Sequence, residues 1–527
     1  MVVELVLLIL FLILSIFISK KFHVKHYGDL PPSPLALPII GHFHLLSPLI
    51  HRSFHDLSLR FGPIFSLRLG SVPCIVVTSP ELAKEFLKTH ELSFIDRSEN
   101  TAVETMTYNA SFAFAPYAHH WKFTKKLITN ELLGGHSVDN FLAIRNQEYV
   151  RLLRLLAKKA ETCESVNLSE ELPRVSHNVI GQMMLGKYSS ASRADEARLV
   201  VREATKIFGE FNFSDFNWIW KKLDLQGFRK RTEATHKKFD ELVEKVIAER
   251  EELRKIQKKG DTIEEKDVKS FLDILLDILE GESSENLEVE FSRNHVKGLI
   301  TDLFAASIDT TSISMEWALA ELMNHPEVLK KARDEIYRVV KNGRLVGELD
   351  VPNLPYIQAI IKESLRLHPP LTFVTRKCVE QCKVGNYVIA KDTMLFINNW
   401  AIGRDPKNWE KPLEFCPERF LQLDGGDKAS AIDVRGQQFQ FLPFGSGRRI
   451  CPGITLTMKM LPALLAAMIQ CFDWKVVGTH YKNMDKENNV LEMDEKPGFT
   501  TPRAYDLVCV PVARFSPLSI LDPQNEI

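Results

Sequence analysis

Hydrophobic and polar positions divide the chain into three kinds of segment. The first is an almost wholly apolar run from Leu5 to Ile18, followed by Lys20, Lys21 and Lys25. The second has helical periodicity, clearest in Phe239–Leu253, Phe271–Leu279, His295–Met323, Pro355–Leu367 and Ile454–Ile469. The third consists of short strand-like runs at Ile64–Leu69, Cys74–Thr78, Tyr387–Ile389, Met394–Asn398 and Val508–Val512. Many helices with little sheet predict a mainly α protein with a small β region.

Pro31, Pro32, Ser33, Pro34 and Pro38 follow the apolar run. Proline fixes φ and disfavours helix in the residue before it, so an initial helix cannot continue into the body. This stretch predicts a hinge, with residues 1–30 as anchor and basic flank and 31–527 as one large domain. No second linker, repeat or low-complexity tract interrupts that domain. The densely charged Glu249–Asp267 reads as a solvated helix end and an exposed loop.

The lysines lie on the downstream side of the apolar run, Glu4 precedes it, and no small-residue cleavage site follows. These features predict a single-pass anchor held in membrane lipid, with the rest of the chain in the cytosol. The run is shorter than the ~20 residues of a full span, and snorkelling by Lys20 and Lys21 supplies part of the difference.

Charge narrows the classes of partner. Lysine plus arginine number 67 and aspartate plus glutamate 68, which gives no whole-protein reason to expect nucleic acid. The eight cysteines are scattered, and Cys378 and Cys382 match no common zinc or redox spacing. Reduced thiols fit better than a disulfide framework.

The strongest chemical signal is Phe444-Gly445-Ser446-Gly447-Arg448-Arg449-Ile450-Cys451-Pro452-Gly453. The glycines allow close backbone approach to a flat ligand. Flanking arginines and the start of an apolar helix favour a thiolate at Cys451, the form that binds iron. A buried structural cysteine is the bland alternative, and ten residues in this order outweigh it. Upstream, Glu363-Ser364-Leu365-Arg366 puts an acid and a base on one helix face, and Pro417-Glu418-Arg419-Phe420 follows. Inside His295–Met323 lies Ala306-Ser307-Ile308-Asp309-Thr310-Thr311, an acid and two alcohols in an apolar helix. Such groups are costly to bury unless they serve a purpose, of which a satisfied helix kink is one.

Phe444, Gly447, Arg449, Cys451 and Gly453 fill every fixed position of F-x-x-G-x-R-x-C-x-G, the haem-binding signature of the cytochrome P450 superfamily, and the chain resembles that family from Pro31 to the 510s. The resemblance implies a P450 fold, haem b with Cys451 as axial iron ligand, and Arg449 on a haem propionate. It makes Glu363, Arg366 and Arg419 a buried structural triad. It places Thr310 beside dioxygen and Asp309 in the proton relay, with Ser307 standing where glycine is usual. Trp121 and Lys125 resemble the propionate-binding W-x-x-x-R helix, with lysine replacing arginine, and Arg376 matches another propionate contact. Dioxygen and NADPH are then co-substrates, electrons arrive from an NADPH–cytochrome reductase, and the anchor holds the protein in the endoplasmic reticulum membrane.

Substrate residues are less legible. Phe112 and Phe114 precede the Trp121 helix, and Phe208, Phe211, Phe213, Phe216, Trp218 and Trp220 crowd a short stretch. Aromatics of this kind are more often core than ligand box, or they rest on a membrane. Together with Ser307, Thr311 and Thr375 they suit a flat apolar substrate. Leu37–His42, Phe208–Asn212, Asp224–Phe228 and Ile469–Phe472 resemble plant flavonoid-oxidising members, which include flavone synthase type II, flavanone 2-hydroxylase and isoflavone (2-hydroxyisoflavanone) synthase. Isoflavone-forming members usually carry lysine before the position of Arg376 and serine at that of Thr311. Thr375 and Thr311 therefore favour flavone formation from a flavanone such as naringenin. Haem-thiolate isomerases or dehydratases, which commonly lack the acid–alcohol pair, are a competing class, and a non-catalytic haem protein is another.

Overall fold

The computed structural model describes residues 6, 11, 30–186, 191–217, 224, 226–258, 269–281, 290–341, 343–421, 432–477 and 490–514, with 191–197 as backbone only. The Leu5–Ile18 run apart from Val6 and Phe11, Trp218, Trp220 and residues 259–267 of the charged tract lie outside the described residues. The longer helices are α1 (Ile50–Phe61), α2 (Thr101–Met106), α3 (His119–Ile128), α4 (Leu142–Glu161), α5 (Leu168–Leu185), α6 (Ala191–Gly209), α7 (Phe228–Lys258), α8 (Phe271–Leu279), α9 (Arg293–Asn324), α10 (Pro326–Val340), α11 (Pro355–Leu367) and α12 (Ile454–Cys471). The strands are β1 (Ile64–Leu69), β2 (Val72–Val77), β3 (Val166–Asn167), β4 (Phe373–Lys377), β5 (Cys382–Val384), β6 (Tyr387–Ile389), β7 (Met394–Asn398), β8 (Phe472–Val476) and β9 (Val508–Ala513).

The main sheet has the order β1-β2-β7-β4, with β2 and β7 parallel and the other pairs antiparallel. Gly70 turns the β1–β2 hairpin at φ +58°, and a Cβ there would collide with the Phe216 carbonyl at 2.5 Å. β2 starts earlier than its apolar run because Pro73 faces only β1 at that level. Pairing with β7 begins at Cys74, so no bond to β7 is lost by the missing N–H.

Helix α9 runs through the core, packs most extensively on α5 and touches α11 and α12. It is buried on nearly all sides from Val296 to Phe304 and from Ser312 to Leu322. Between these stretches Ala306 is exposed and Ala305, Ser307, Asp309, Thr310 and Thr311 are half-buried. Mid-helix alanines in the centre of a core are accessible only where a cavity faces them. Helix α12 is apolar and long enough to cross a membrane, yet 72% of it is buried inside the protein, which makes it a core helix. Helix α7 outruns its apolar segment at both ends, where lysine, arginine and glutamate are good helix formers.

Candidate active site

The cysteine loop ends just before α12. Its turn is set by Gly445 and Gly447, at φ +73° and +72°, and a Cβ at Gly447 would collide with Glu91 Oε1. Gly453 is under no such constraint, since a Cβ there would lie 3.6 Å from Cys451 Sγ. What Gly453 supplies is its N–H, donated to that sulfur at 3.3 Å. The Cys451 amide donates to Phe444 O at 3.0 Å, which closes the loop, and the half-buried Phe444 ring packs on the main core. Burial pushes the Cys451 thiol up, opposed by the Gly453 N–H and by the charges of Lys125 and Arg97.

Four cations surround this loop. Lys125, on α3, donates to Ile450 O at 2.9 Å, and burial brings its pKa down to about 8. Arg449 donates to Ala115 O at 2.5 Å and Asp96 at 3.2 Å, and its guanidinium lies 5.0 Å from the Trp121 ring centroid. Arg376, on β4, donates to Ser446 O at 3.3 Å. Arg97 donates to Ala113 O at 3.1 Å. Burial lowers the pKa of Arg376, Arg449 and Arg97, and Arg97 and its neighbouring cations repel one another further. The Nε atoms of Arg449 and Arg97 are buried with no hydrogen-bond partner. Such a cluster is satisfied by a ligand carrying carboxylates. Arg97 had no motif to mark it; it reaches the site only through the fold.

On α9, Thr310 donates to Ala306 O at 2.7 Å and Ser307 to Leu303 O at 2.7 Å. Both alcohols thus satisfy their protons within the helix and keep lone pairs to accept with. Burial raises the Asp309 pKa, opposed by the charge of Arg202. Thr311 lines a narrow gap with Leu172 and Ser176 of α5 and Met460 and Leu461 of α12.

Glu363 and Arg366 of α11 meet Arg419 in a buried cluster, in which Arg419 Nε donates to Glu363 Oε1 at 3.0 Å. The aromatic candidates separate. Phe112 stacks on Trp121 with centroids 5.8 Å apart, and Phe114 is half-buried in the same segment. Phe211 is exposed and its rings of contact are Phe43, Phe213 and Phe216. Thr375 lies on the opposite face of β4 from Val374 and Arg376, by strand alternation.

The domain is mainly helical with a small sheet, and it holds a thiol among buried cations and a central helix that is accessible at Ala306. The family model for Cytochrome P450 matches residues 31–501. The chain is 54% identical to Cytochrome P450 93B16 of Glycine max over 95% of its length and 94% of the relative's. It is 52% identical to Cytochrome P450 93B2 of Gerbera hybrida (94% of each chain) and 45% identical to 2-hydroxyisoflavanone synthase of Glycyrrhiza uralensis (98% of each). A solved zebra fish cytochrome P450 structure with progesterone shares the fold at a TM-score of 0.70 and 22% identity, covering 89% of this chain and all of that one. The chain belongs to the cytochrome P450 family, within its plant 93 group, and is a monooxygenase.

Membership implies haem iron. The residues present fit it: a sulfur donor in a glycine-formed turn, and buried guanidinium nitrogens that lack acceptors beside it.

Proposed function

We propose that this protein oxidises flavanones to flavones. The observation that carries the reading is its place among relatives: 54% and 52% identity to two 93B members against 45% to 2-hydroxyisoflavanone synthase. Thr375 supports it, standing where isoflavone-forming members usually have lysine. The reaction balances as flavanone, dioxygen, NADPH and a proton giving flavone, two waters and NADP⁺. Haem, when bound, supplies dioxygen activation and the removal of hydrogen from the substrate.

The chain's own residues hold and orient. Cys451 is the iron ligand, steadied as thiolate by the Gly453 N–H and the nearby cations. Arg449, Arg376, Lys125 and Arg97 bind the propionates, and the Trp121 ring supports Arg449. Thr310 accepts the hydrogen bond of a proton donor, and Asp309, whose pKa burial raises, replenishes it. The segment holding Phe112 and Phe114 covers a flat apolar substrate near Ala306, Ser307, Thr311 and Thr375. The acid–alcohol pair favours this reading over an isomerase, a dehydratase or a non-catalytic haem protein.

Residues 1–30 anchor the protein in the endoplasmic reticulum membrane, and residues 31–527 form a cytosolic domain served by an NADPH–cytochrome reductase. The start of the family match at residue 31, within the proline-rich stretch, supports that division. Protease added outside intact microsomes should digest the domain, and protection until detergent is added would reverse the orientation.

The test of the reaction is conversion of naringenin by microsomes carrying this protein, reductase and NADPH. Apigenin or 2-hydroxynaringenin is the expected product, the latter assigning flavanone 2-hydroxylation. A 2-hydroxyisoflavanone product, turnover without NADPH, or no flavanone conversion would overturn the reading.

A further inference from the structure

Helix α9 carries a second acid, Asp302, two turns before Asp309. It is 6% exposed, and its carboxylate is spent on one target. Ser111 Oγ donates to its two oxygens at 2.9 and 3.0 Å, and the Ala113 amide donates at 3.0 Å. Ser111 Oγ in turn accepts from the Phe114 amide at 3.1 Å. One helical turn earlier, a Cβ on Gly298 would lie 2.7 Å from Ala110 O and 3.0 Å from Thr107 O. Only glycine lets the 107–110 backbone come so close. The segment is thus docked on α9 at two points four residues apart.

The carbonyl of Ala113 is held as well. Ala113 O accepts from Arg97 Nη1 at 3.1 Å and Arg449 Nη1 at 3.4 Å, two of the cations of the candidate haem site. Ala113 therefore bridges α9 and the cation cluster through its N–H and its C=O, with Phe112 and Phe114 on either side of it in the chain. A carboxylate is buried at a cost of several kcal/mol unless its bonds are made, and here every bond goes to this segment.

We propose that Asp302 is a specificity-determining positioning residue, which docks Ser111–Phe114 on α9 and so fixes the aromatic wall of the substrate pocket. The proposal rests on the reading of that pocket as a flavanone site. Moving the segment by an ångström changes which substrate carbon faces the reacting centre, because reactivity is steep in distance.

The experiment uses the full-length haem-loaded protein with Asp302→Asn and Ser111→Ala, singly and together, and Phe114→Ala as reference. Naringenin affinity is read from the substrate-induced haem absorbance shift, and the carbon monoxide difference spectrum reports intact haem ligation. Each docking variant should weaken naringenin binding about five- to tenfold, the worth of one buried hydrogen bond, with the carbon monoxide spectrum unchanged. The double variant should be little worse than the singles, since both remove the same contact. KM should rise more than kcat falls. Amide exchange at Ala113, measured without substrate, should quicken in Asp302→Asn and in Ser111→Ala. Unchanged exchange overturns the docking role whether or not naringenin binds. Faster exchange with unchanged affinity, where Phe114→Ala does weaken binding, overturns the specificity role. If wild type gives no shift with naringenin, the flavanone reading fails while the exchange result still decides the docking.

Discussion

Glu363 and Arg366 are joined by two parallel hydrogen bonds of 2.7 Å each, with neither side chain exposed to solvent. Arg366 also donates to the carbonyls of Gly403, Pro412 and Glu414, and Cys416 N donates to Glu363 at 2.8 Å. The pair thus ties α11 to the loops that lead to the cysteine turn. Glu363→Ala strands two guanidinium groups in the core and should cost about 3–5 kcal/mol. Arg366→Lys should also be severe, since a point charge cannot replace a fork serving five acceptors. Denaturant midpoints and the yield of haem-loaded protein measure both. A Glu363→Ala protein with the wild-type midpoint would contradict this account.

Cys451 sits where one N–H and nearby cations offset the burial of its sulfur. Reduced protein with carbon monoxide should show the red-shifted band of thiolate ligation. Cys451→His should lose that band and turnover. Retention of both in Cys451→Ala would remove this residue from the iron.

Much of this could be read from the chain. α8, α11 and β6 begin and end at the residues that periodicity gives, because their apolar signal runs to their ends. β4 and β8 escaped, since charged residues dilute a short apolar signal: Asp473 and Lys475 on the exposed face of β8, and in β4 the buried Arg376 and half-buried Lys377. In the site, the cysteine loop is local, and one window holds all of its residues. Arg97 and Asp302 are different: one lies in a stretch without motif, the other is one acid in a long helix. Each acquires meaning from Ala113, a residue far away in sequence from Asp302. The alternation that sets Thr375 across β4 from Arg376 likewise needed the strand before the side could be assigned.

Thr310 has donated its proton to Ala306 O, so toward the cavity it acts as an acceptor. Thr310→Ala removes that acceptor while keeping the helix. Haem content and naringenin affinity should be unchanged, while the share of NADPH electrons released as hydrogen peroxide should rise several-fold. Unaltered coupling would move the role to Ser307 or Thr311.

Glu316 offers a pH test that involves none of the residues assigned to the haem. It is buried on α9, accepts from Ser169 Oγ at 2.8 Å, and burial raises its pKa to about 7 from an ordinary 4.5. Between these values the folded state holds a proton that the unfolded state has released. Folding stability from this group is therefore fully present below pH ~4.5 and lost as pH rises through ~7. Ser169 also accepts from Leu507 N at 2.8 Å, so its hydroxyl proton is directed at Glu316 in either ionisation state. Glu316→Gln keeps an acceptor for that proton and cannot ionise. At pH 5 the variant and wild type should melt within a degree or so of each other. At pH 8 the variant should be the more stable by about 1–3 kcal/mol, the linkage value of a shift this large. Thermal melts of both proteins across pH 5–8 measure the gap directly, and other titrating groups cancel in the difference. A gap of the same size at both ends would mean that Glu316 does not change its charge in this window.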